Sequence, residues 1–418
     1  MSTRNAPEDA GRCVIAGAGP GGMLLGYLLA RAGIPVTVLE ARPDFNRDFR
    51  GDSLHPYTLE LLDQLGLADE LLAGNEHYPA RNFRFHTPRG TVTTADYGKL
   101  KTRFNYVALL PQSHFLEFLA QKAEQLPGFE LVRSAKVTGL LRDGERVEGV
   151  RYRDGRGEHE LAASLVVGTD GRFSKLRRLA EMPAEPLGAT TDLLWFRLPR
   201  RDDDPAGAEV DLYFGSQHYV GLLKRPQDWQ VGYTVPKGGY AAAREAGAEP
   251  IRRFVADHVP WLADRVPMLE EFSQVTLLSV EIARVRRWYR PGLLLLGDAA
   301  HVISPVGGNG ILMAVQDAVA AANHLVPSLR AGRPASADLA AVQRDREPAI
   351  AEVQHQQVRI EQRLAAAREA DRPITPPAWL PLVTSLPAAR RRSARRNAYG
   401  PRPPTLAADL FAPAETAS

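Results

Sequence analysis

Cysteine and unbalanced charge are both scarce in this 418-residue sequence. Cys13 is the single cysteine, so an intrachain disulfide and a thiolate cluster for zinc or iron–sulfur are excluded. The 52 Lys and Arg residues nearly balance 49 Asp and Glu residues, for a formal net charge of +3. Because no strong field attracts polyanions, we expect no nucleic-acid partner and no membrane partner. No nearby set of Cys, His and Asp residues has the spacing of metal ligands, so we also expect no metal site.

Long apolar runs are missing as well. Charged residues such as Asp298 and Asp317 interrupt the most apolar stretch, residues 292–326, and this argues against a transmembrane helix. Residues 1–12 are polar and do not resemble a secretory signal. Since 44% of the residues are hydrophobic, the chain can bury a sizeable core. We expect a cytoplasmic globular enzyme.

The opening of the chain is typical of a β-α-β unit with a dinucleotide fingerprint. A strand at 13–16, a helix ending near residue 32 and a strand at 36–39 are predicted. The turn between the first strand and the helix matches G-x-G-x-x-G, and Glu40 ends the second strand. Glycines let the backbone approach a pyrophosphate at the helix N-terminus, and a carboxylate in that position binds ribose hydroxyls. The alternative is a tight turn with Glu40 on the surface.

The rest of the chain mixes helical and strand patterns. Helices are predicted at 57–73, 310–325 and 336–370, the last with a kink at Pro348 and a proline-rich tail after it. A hairpin is predicted at 83–95, a β-meander at 130–161 and an antiparallel layer at 191–235. Buried strands are predicted at 165–168 and 293–296. The predicted fold class is therefore α/β, with an inserted antiparallel sheet.

Two further motifs follow the two buried strands. Asp170-Gly171 comes after the first strand, and Gly297-Asp298-Ala299-Ala300-His301 comes after the second. The order of glycine-rich turn, Asp-Gly motif and Gly-Asp motif resembles the para-hydroxybenzoate hydroxylase family of FAD-dependent monooxygenases, over roughly residues 11–330.

The resemblance implies a Rossmann-like FAD-binding domain made of a parallel sheet and a β-meander. This domain would comprise residues 1–75, 104–185 and 276–330. An antiparallel substrate domain would comprise 76–103 and 186–275, and a C-terminal helical segment and tail would comprise 331–418.

The resemblance also implies which residues hold non-covalent FAD. The glycine-rich turn would bind the pyrophosphate, Glu40 the AMP ribose and Asp298 a ribityl hydroxyl. The start of the helix after residue 307 would place backbone N–H groups beside the reduced flavin. The implied FAD-binding residues are Gly17, Gly19, Pro20, Gly21, Gly22, Glu40, Ala41, Arg42, Arg50, Gln112, Val137, Asp170, Asp298, Pro305, Gly307, Gly310, Ile311 and Leu312.

Polar and aromatic side chains of the strand-rich insert are the candidates for a substrate pocket over the flavin. Each of them could instead belong to the core. His55 and His301 are interpreted as structural, and no catalytic side chain is predicted. The pocket candidates are Trp195, Tyr213, His218, Tyr219, Arg225 and Tyr233.

The implied reaction is the insertion of one oxygen atom into a small, aromatic or polyketide-like substrate, as a hydroxylation, an epoxidation or a Baeyer–Villiger ring expansion. NADPH or NADH would reduce the flavin, and O2 would form a C4a-hydroperoxide that transfers one oxygen atom. A single G-x-G-x-x-G predicts that the nicotinamide nucleotide has no Rossmann domain of its own, and no dedicated reductase partner is expected. The alternatives are a flavin-dependent halogenase and a non-catalytic binding module with the same fold.

Overall fold

The computed structural model describes residues 11–46, 52–74, 76–87, 90–305, 308–375 and 379–411. The strands are β1 (Cys13–Ala16), β2 (Val36–Leu39), β3 (Ser53–Leu54), β4 (Tyr78–Ala80), β5 (Asn82–Thr87), β6 (Gly90–Asp96), β7 (Val107–Leu109), β8 (Phe129–Val132), β9 (Lys136–Asp143), β10 (Arg146–Asp154), β11 (Gly157–Ala162), β12 (Leu165–Gly168), β13 (Ala184–Pro186), β14 (Thr191–Pro199), β15 (Val210–Phe214), β16 (Tyr219–Lys224), β17 (Asp228–Pro236), β18 (Thr276–Leu278), β19 (Ala283–Val285), β20 (Tyr289–Arg290), β21 (Leu293–Leu295) and β22 (His301–Val302). The helices are α1 (Pro20–Arg31), α2 (Pro56–Gln64), α3 (Ala68–Leu72), α4 (Gln112–Glu124), α5 (Lys175–Leu179), α6 (Tyr240–Ala246), α7 (Glu249–His258), α8 (Asn309–Arg330), α9 (Ser336–Glu369), α10 (Leu380–Ser385), α11 (Pro387–Tyr399) and α12 (Ala408–Phe411).

A mostly parallel sheet organises one half of the molecule. Its strand order is β20-β21-β12-β1-β2-β8, and β21, β12, β1, β2 and β8 run parallel. Every residue of β1, β2, β12 and β21 is buried, which explains their continuous apolar sequences. Helices α1 and α8 pack against each other and join the same hydrophobic core. The fold class predicted from the sequence is confirmed.

A three-stranded antiparallel sheet, β11-β10-β9, forms the predicted meander. The first predicted strand of this region, β8, belongs elsewhere because it pairs with β2 in the parallel sheet. The meander lies beside the parallel sheet and supplies Val147 and Val150 to the core.

A seven-stranded sheet forms the other half, in the order β18-β14-β17-β16-β15-β5-β6. One face packs against α7 through a second core that includes Trp229, Val231 and Val255. The opposite face carries a different set of apolar residues, because side chains alternate along each strand. The sheet therefore has apolar side chains on both faces. One face packs against α7, and the other faces the half that contains the parallel sheet.

The helical regions differ from the sequence prediction in two places. The predicted helix at 57–73 is divided into α2 and α3, since Gly66 adopts a left-handed φ of 76° between them. The proline-rich tail also contains α10 and α11, and Ala394 and Ala398 of α11 are buried in a hydrophobic cluster with residues of β4, β6 and β7. Among the helices of the described ranges, none is long and apolar enough to cross a membrane.

Candidate active site at the carboxyl ends of the parallel strands

The three sequence motifs meet at one edge of the parallel sheet. In the register of β1, Ala16 pairs with Gly168 of β12 and with Leu39 of β2, while Gly168 pairs with Leu295 of β21. Because these strands are parallel, the segments that leave their carboxyl ends lie side by side. The glycine-rich turn, Glu40, Asp170 and Asp298 are thus neighbours at the edge where ligands of open α/β sheets bind.

The glycine-rich turn is built for close backbone approach. Gly17 has a φ of 103°, and a methyl group on Gly22 would lie 2.1 Å from the Gly17 carbonyl oxygen. A methyl group on Gly19 would meet nothing within 4 Å, so there is open space above the N-terminus of α1. Gly19 caps that helix without a side-chain hydrogen bond, and Pro20 is its first residue. The turn therefore offers helix N–H groups to an anion in that space.

Glu40 is buried and fixed by backbone donors. The Ala18 N–H donates to Glu40 Oε2 at 3.0 Å, and the Arg42 N–H donates to Oε1 at 3.1 Å. Ala41 and Arg42 are exposed beside it. A carboxylate offers about four acceptor positions, and acceptors are what a pair of ribose hydroxyls requires. The surface alternative for Glu40 does not match this burial.

The two carboxylate oxygens of Asp170 differ in their hydrogen bonds. Its Oδ2 accepts N–H bonds from Lys175 and Leu176, at 2.6 and 3.0 Å, at the start of α5. Its Oδ1 is buried and has no hydrogen-bond partner among the described residues. Arg177 links the Asp-Gly motif to the Gly-Asp motif, because its Nη1 donates to the Ala299 carbonyl at 3.0 Å.

The Gly-Asp motif is anchored by a buried network that the sequence did not reveal. The Gly297 N–H donates to Asp317 Oδ2 at 3.0 Å, and His301 Nε2 donates to the same oxygen at 2.6 Å. Arg346 Nε donates to Asp317 Oδ1 at 3.0 Å. Burial disfavours the charge of Asp317, yet His301 and Arg346 together hold its pKa below the usual range. This network fixes the turn that carries Asp298.

The N-terminus of α8 lies next to these strand ends. Gly308 caps the helix with a φ of 67° and no side-chain hydrogen bond, and a methyl group on Gly310 would meet nothing within 4 Å. Ile311 and Leu312 are buried in the first turn. The first turn of α8 thus combines open space at Gly310 with N–H groups that have no partner within the helix. Arg50 and Gly307 lie outside the described residues.

The remaining predicted FAD residues occupy the flanks of this edge. Gln112 is the first residue of α4. Val137 lies in β9, two residues after Ala135. The Ala135 N–H donates to the Glu40 carbonyl at 2.8 Å. Pro305 lines a cavity. Their contacts with FAD remain predictions.

A cavity of about 140 Å³ lies between the strand-end site and the seven-stranded sheet. The walls are mostly apolar. The strand-end side supplies Asp52, Ser53, His55, Pro305 and Gly308. The sheet side supplies, among others, Phe83, Leu193, Trp195, Val210, Leu212, Tyr219, Gly221, Gln230 and Gly232.

Strand register divides the predicted pocket residues into two groups. Trp195 and Tyr219 line the cavity, and Arg225 lies beside it, with Nη1 at 3.4 Å from Asp52 Oδ2. Tyr213 lies on the opposite face, where its ring stacks on His86.

His218 and Tyr233 also belong to the opposite face. Their rings lie 4.8 Å apart, and both pack against Phe254 of α7. The structure does not bring Tyr213, His218 or Tyr233 into this cavity. The reason is that the side chains of successive strand residues point to opposite faces.

The comparison with known families decides the identity of this fold. The model of a family described as "FAD binding domain" matches residues 12–357. The chain belongs to the para-hydroxybenzoate hydroxylase-like family of FAD-dependent monooxygenases. The strand-end site fits FAD, because the space above Gly19, the unpartnered Asp170 Oδ1 and the two helix N-termini provide what a dinucleotide requires.

Relatives of this flavoprotein include enzymes of polyketide and aromatic metabolism. The chain is 34% identical over 409 residues to a 6-methylpretetramide 4-monooxygenase of Streptomyces rimosus, and the match covers 97% of this chain and 96% of the relative. It is 27% identical to a para-nitrophenol 4-monooxygenase of Pseudomonas sp. strain WBC-3, over 76% of this chain and 78% of the relative. The fold resembles PqsL of P. aeruginosa in complex with 2-aminobenzoylacetate, with a TM-score of 0.75, 21% identity and coverage of 85% and 97%.

Proposed function

We propose that this flavoprotein is an NAD(P)H-dependent hydroxylase of an aromatic polyketide or another polycyclic phenol. The observation that carries the proposal is the cavity between the strand-end site and the seven-stranded sheet. Its apolar walls suit a planar aromatic substrate, and its volume of about 140 Å³ is enough for one ring of such a substrate. Its strand-end side includes Pro305 and Gly308, next to the start of α8. A substrate there would lie between the flavin and the sheet.

The cofactor supplies the redox chemistry in this proposal. FAD held at the strand-end site would supply hydride acceptance from NAD(P)H and the activation of O2 for the transfer of one oxygen atom. The protein's own groups would bind and orient the flavin and the substrate and shield them from water. The first turn of α8 would offer N–H donors to negative charge on the reduced ring, and the walls of the cavity would exclude water.

Full-length similarity supports a polyketide-type substrate. The match to the S. rimosus 6-methylpretetramide monooxygenase extends over 97% of this chain, whereas the match to the para-nitrophenol enzyme extends over 76%. The first substrate to test is therefore 6-methylpretetramide, with 4-nitrophenol as a single-ring comparison.

The test is NAD(P)H oxidation by the FAD-loaded protein alone, with and without each compound. We expect 6-methylpretetramide to accelerate NAD(P)H oxidation and to gain the mass of one oxygen atom. A requirement for halide and a separate reductase would favour a halogenase instead. No stimulation by any phenol, with FAD bound and reducible, would contradict the proposed hydroxylase.

A further inference from the structure

Two glycines face the cavity from the middle of the seven-stranded sheet. Gly221 of β16 and Gly232 of β17 lie opposite each other in the antiparallel register, and both line the cavity. Neither glycine has a positive φ, so the backbone conformation does not require glycine at these positions. Glycine weakens the interior of a strand and often marks a place where another group approaches the backbone closely. The reason for both glycines therefore lies in what packs above them.

The indole ring of Trp195 accounts for Gly232. Trp195 of β14 pairs with Gly232 across the sheet and also lines the cavity. A methyl group on Gly232 would lie 2.7 Å from Trp195 Cζ3 and 2.8 Å from Cη2, so the benzene part of the indole covers the bare backbone of β17. A methyl group on Gly221 would lie 3.0 Å from Leu212 Cδ2. The two glycines thus leave room for the indole and for a planar molecule beside it.

The indole N–H of Trp195 lacks a hydrogen-bond partner. Trp195 is only 9% exposed, and its Nε1 is buried with no acceptor among the described residues. A buried indole N–H usually has one. Trp229 and Trp261 follow that rule, because their N–H groups donate to Asp204 Oδ2 at 2.7 Å and to Tyr213 Oη at 3.2 Å. The Trp195 donor is therefore free to bond to an oxygen atom of a molecule in the cavity.

An indole N–H is a selective group because it can only donate. The hydroxyl groups of Ser53, Tyr97 and Tyr219 also line the cavity, but a hydroxyl donates or accepts and so distinguishes little. Opposite the indole N–H, a carbonyl oxygen forms a hydrogen bond, whereas a hydrocarbon group of the same size leaves the donor unpaired. A site built around such a donor rejects the analogue that lacks the acceptor.

The inference rests on the proposed hydroxylase and names its substrate class. We propose that Trp195 is a specificity-determining residue whose indole N–H donates to a carbonyl oxygen conjugated with the aromatic ring of the substrate. The preferred substrates are then phenols that carry an aryl ketone or quinone oxygen. Because the N–H lies in the plane of the indole, the carbonyl meets the edge of Trp195 and is not stacked on its face.

Two single-ring phenols test the preference for a carbonyl group. The cavity volume of about 140 Å³ suits one ring, and 4-hydroxyacetophenone differs from 4-ethylphenol mainly in its carbonyl oxygen. Equilibrium dialysis measures the affinity of the FAD-loaded protein for each compound at a pH where both phenols are un-ionised. Trp195→Phe should weaken the binding of the ketone by roughly three- to tenfold more than the binding of 4-ethylphenol, because one hydrogen bond is lost. Equal losses for both compounds would overturn the inference, since Trp195 would then be only an apolar wall.

Trp288→Phe is the matched control. Trp288 Nε1 is also buried without a partner among the residues that the structure describes, but its ring packs against His301 and is not part of the cavity wall. This variant should keep the wild-type ratio of the two affinities. A ratio changed as much as in Trp195→Phe would contradict a specific role for Trp195, as would the absence of binding of both compounds to the wild type.

Nuclear magnetic resonance observes the donor itself. The chain has five tryptophans, and in protein labelled with ¹⁵N-tryptophan the indole signal that Trp195→Phe lacks belongs to Trp195. The ketone should move this proton signal downfield in the FAD-loaded protein, and 4-ethylphenol should not. An unmoved signal with the ketone bound would overturn the inference.

The inference and the proposed hydroxylase fail in different ways. If the protein oxygenates a phenol while the Trp195 signal and the affinity ratio show no carbonyl effect, the inference fails and the hydroxylase stands. If the ketone moves the Trp195 signal but no phenol is oxygenated, the hydroxylase fails, while carbonyl binding by Trp195 is supported.

Discussion

Individual carboxylates at the strand ends combine binding with local structure. Glu40 bonds to the backbone of Ala18 and Arg42, and Asp170 bonds to the start of α5, so each orders the chain around it. Asp298 lies on the turn that Asp317 anchors. Because a single side chain has both roles, variants must be compared in FAD affinity and in apoprotein stability separately.

Asp298→Ala should weaken FAD binding, since Asp298 is the predicted acceptor of a ribityl hydroxyl. Loss of one charge-assisted hydrogen bond costs roughly 1.5–3 kcal/mol, which corresponds to about ten- to a hundred-fold in affinity. Fluorescence titration of the apoprotein with FAD measures the change. An unchanged affinity in a folded variant would show that Asp298 does not contact the cofactor.

Asp52→Asn should stabilise the protein at neutral pH. Burial raises the pKa of Asp52 from 3.8 to about 6, so below pH 3.8 the carboxyl is neutral in both the folded and the unfolded state. As the pH rises to about 6, the unfolded chain releases the proton first and stability falls. Above that pH the cost stays constant at about 3 kcal/mol, because each pKa unit corresponds to roughly 1.4 kcal/mol.

The measurement is thermal unfolding of the apoprotein as a function of pH. The Tm difference between Asp52→Asn and the wild type should be small near pH 4 and positive above pH 6. A lower Tm for Asp52→Asn at neutral pH would mean that Asp52 is a structural ion-pair partner of Arg225 and not a group kept charged at the expense of stability.

At the scale of elements, two glycines of the turn between β1 and α1 differ in role: one is needed for folding and the other for the predicted cofactor binding. Gly22 is required by the protein itself, since its position has no room for a methyl group. Gly19 has a φ of −73° and open space around it. An alanine therefore fits there in the apoprotein, but its methyl group would occupy the space predicted for the pyrophosphate.

Gly19→Ala should weaken FAD binding while lowering apoprotein stability by only about 1 kcal/mol or less, because alanine is a poorer N-cap residue than glycine. Gly22→Ala should instead destabilise the apoprotein, because the methyl group would collide with the Gly17 carbonyl. Calorimetry of both apoproteins and FAD titration give the two values. Normal FAD affinity in Gly19→Ala would place the pyrophosphate elsewhere.

Helices α8 and α9 are joined by the buried pair of Asp317 and Arg346, both fully inaccessible to solvent. Asp317→Asn should destabilise the protein by about 3–5 kcal/mol, because it leaves the Arg346 charge without its partner. The double variant Asp317→Asn/Arg346→Met should recover part of this loss. Denaturant unfolding of the single and double variants measures the coupling, and strictly additive losses would contradict it.

At the scale of the whole molecule, sequence periodicity predicted the parallel sheet because its strands are buried on both faces and flanked by recognisable motifs. It did not predict which aromatic residues line the cavity, since the choice between Trp195 and Tyr233 depends on strand register. It also missed Asp52 and Asp317, because each acquires its role from residues that are distant in the sequence. Local motifs thus predicted which segments meet at the strand-end site, while the lining of the cavity could be identified only from the tertiary structure.

The most direct test of the account is the origin of the oxygen atom in the product. The FAD-loaded protein is supplied with NAD(P)H, 6-methylpretetramide and isotopically labelled O2, and the product is analysed by mass spectrometry. We predict that each product molecule gains one labelled oxygen atom for each NAD(P)H consumed. Unlabelled product in labelled O2, or hydrogen peroxide formed with no oxygenated product from any phenol tested, would contradict the assignment as a monooxygenase.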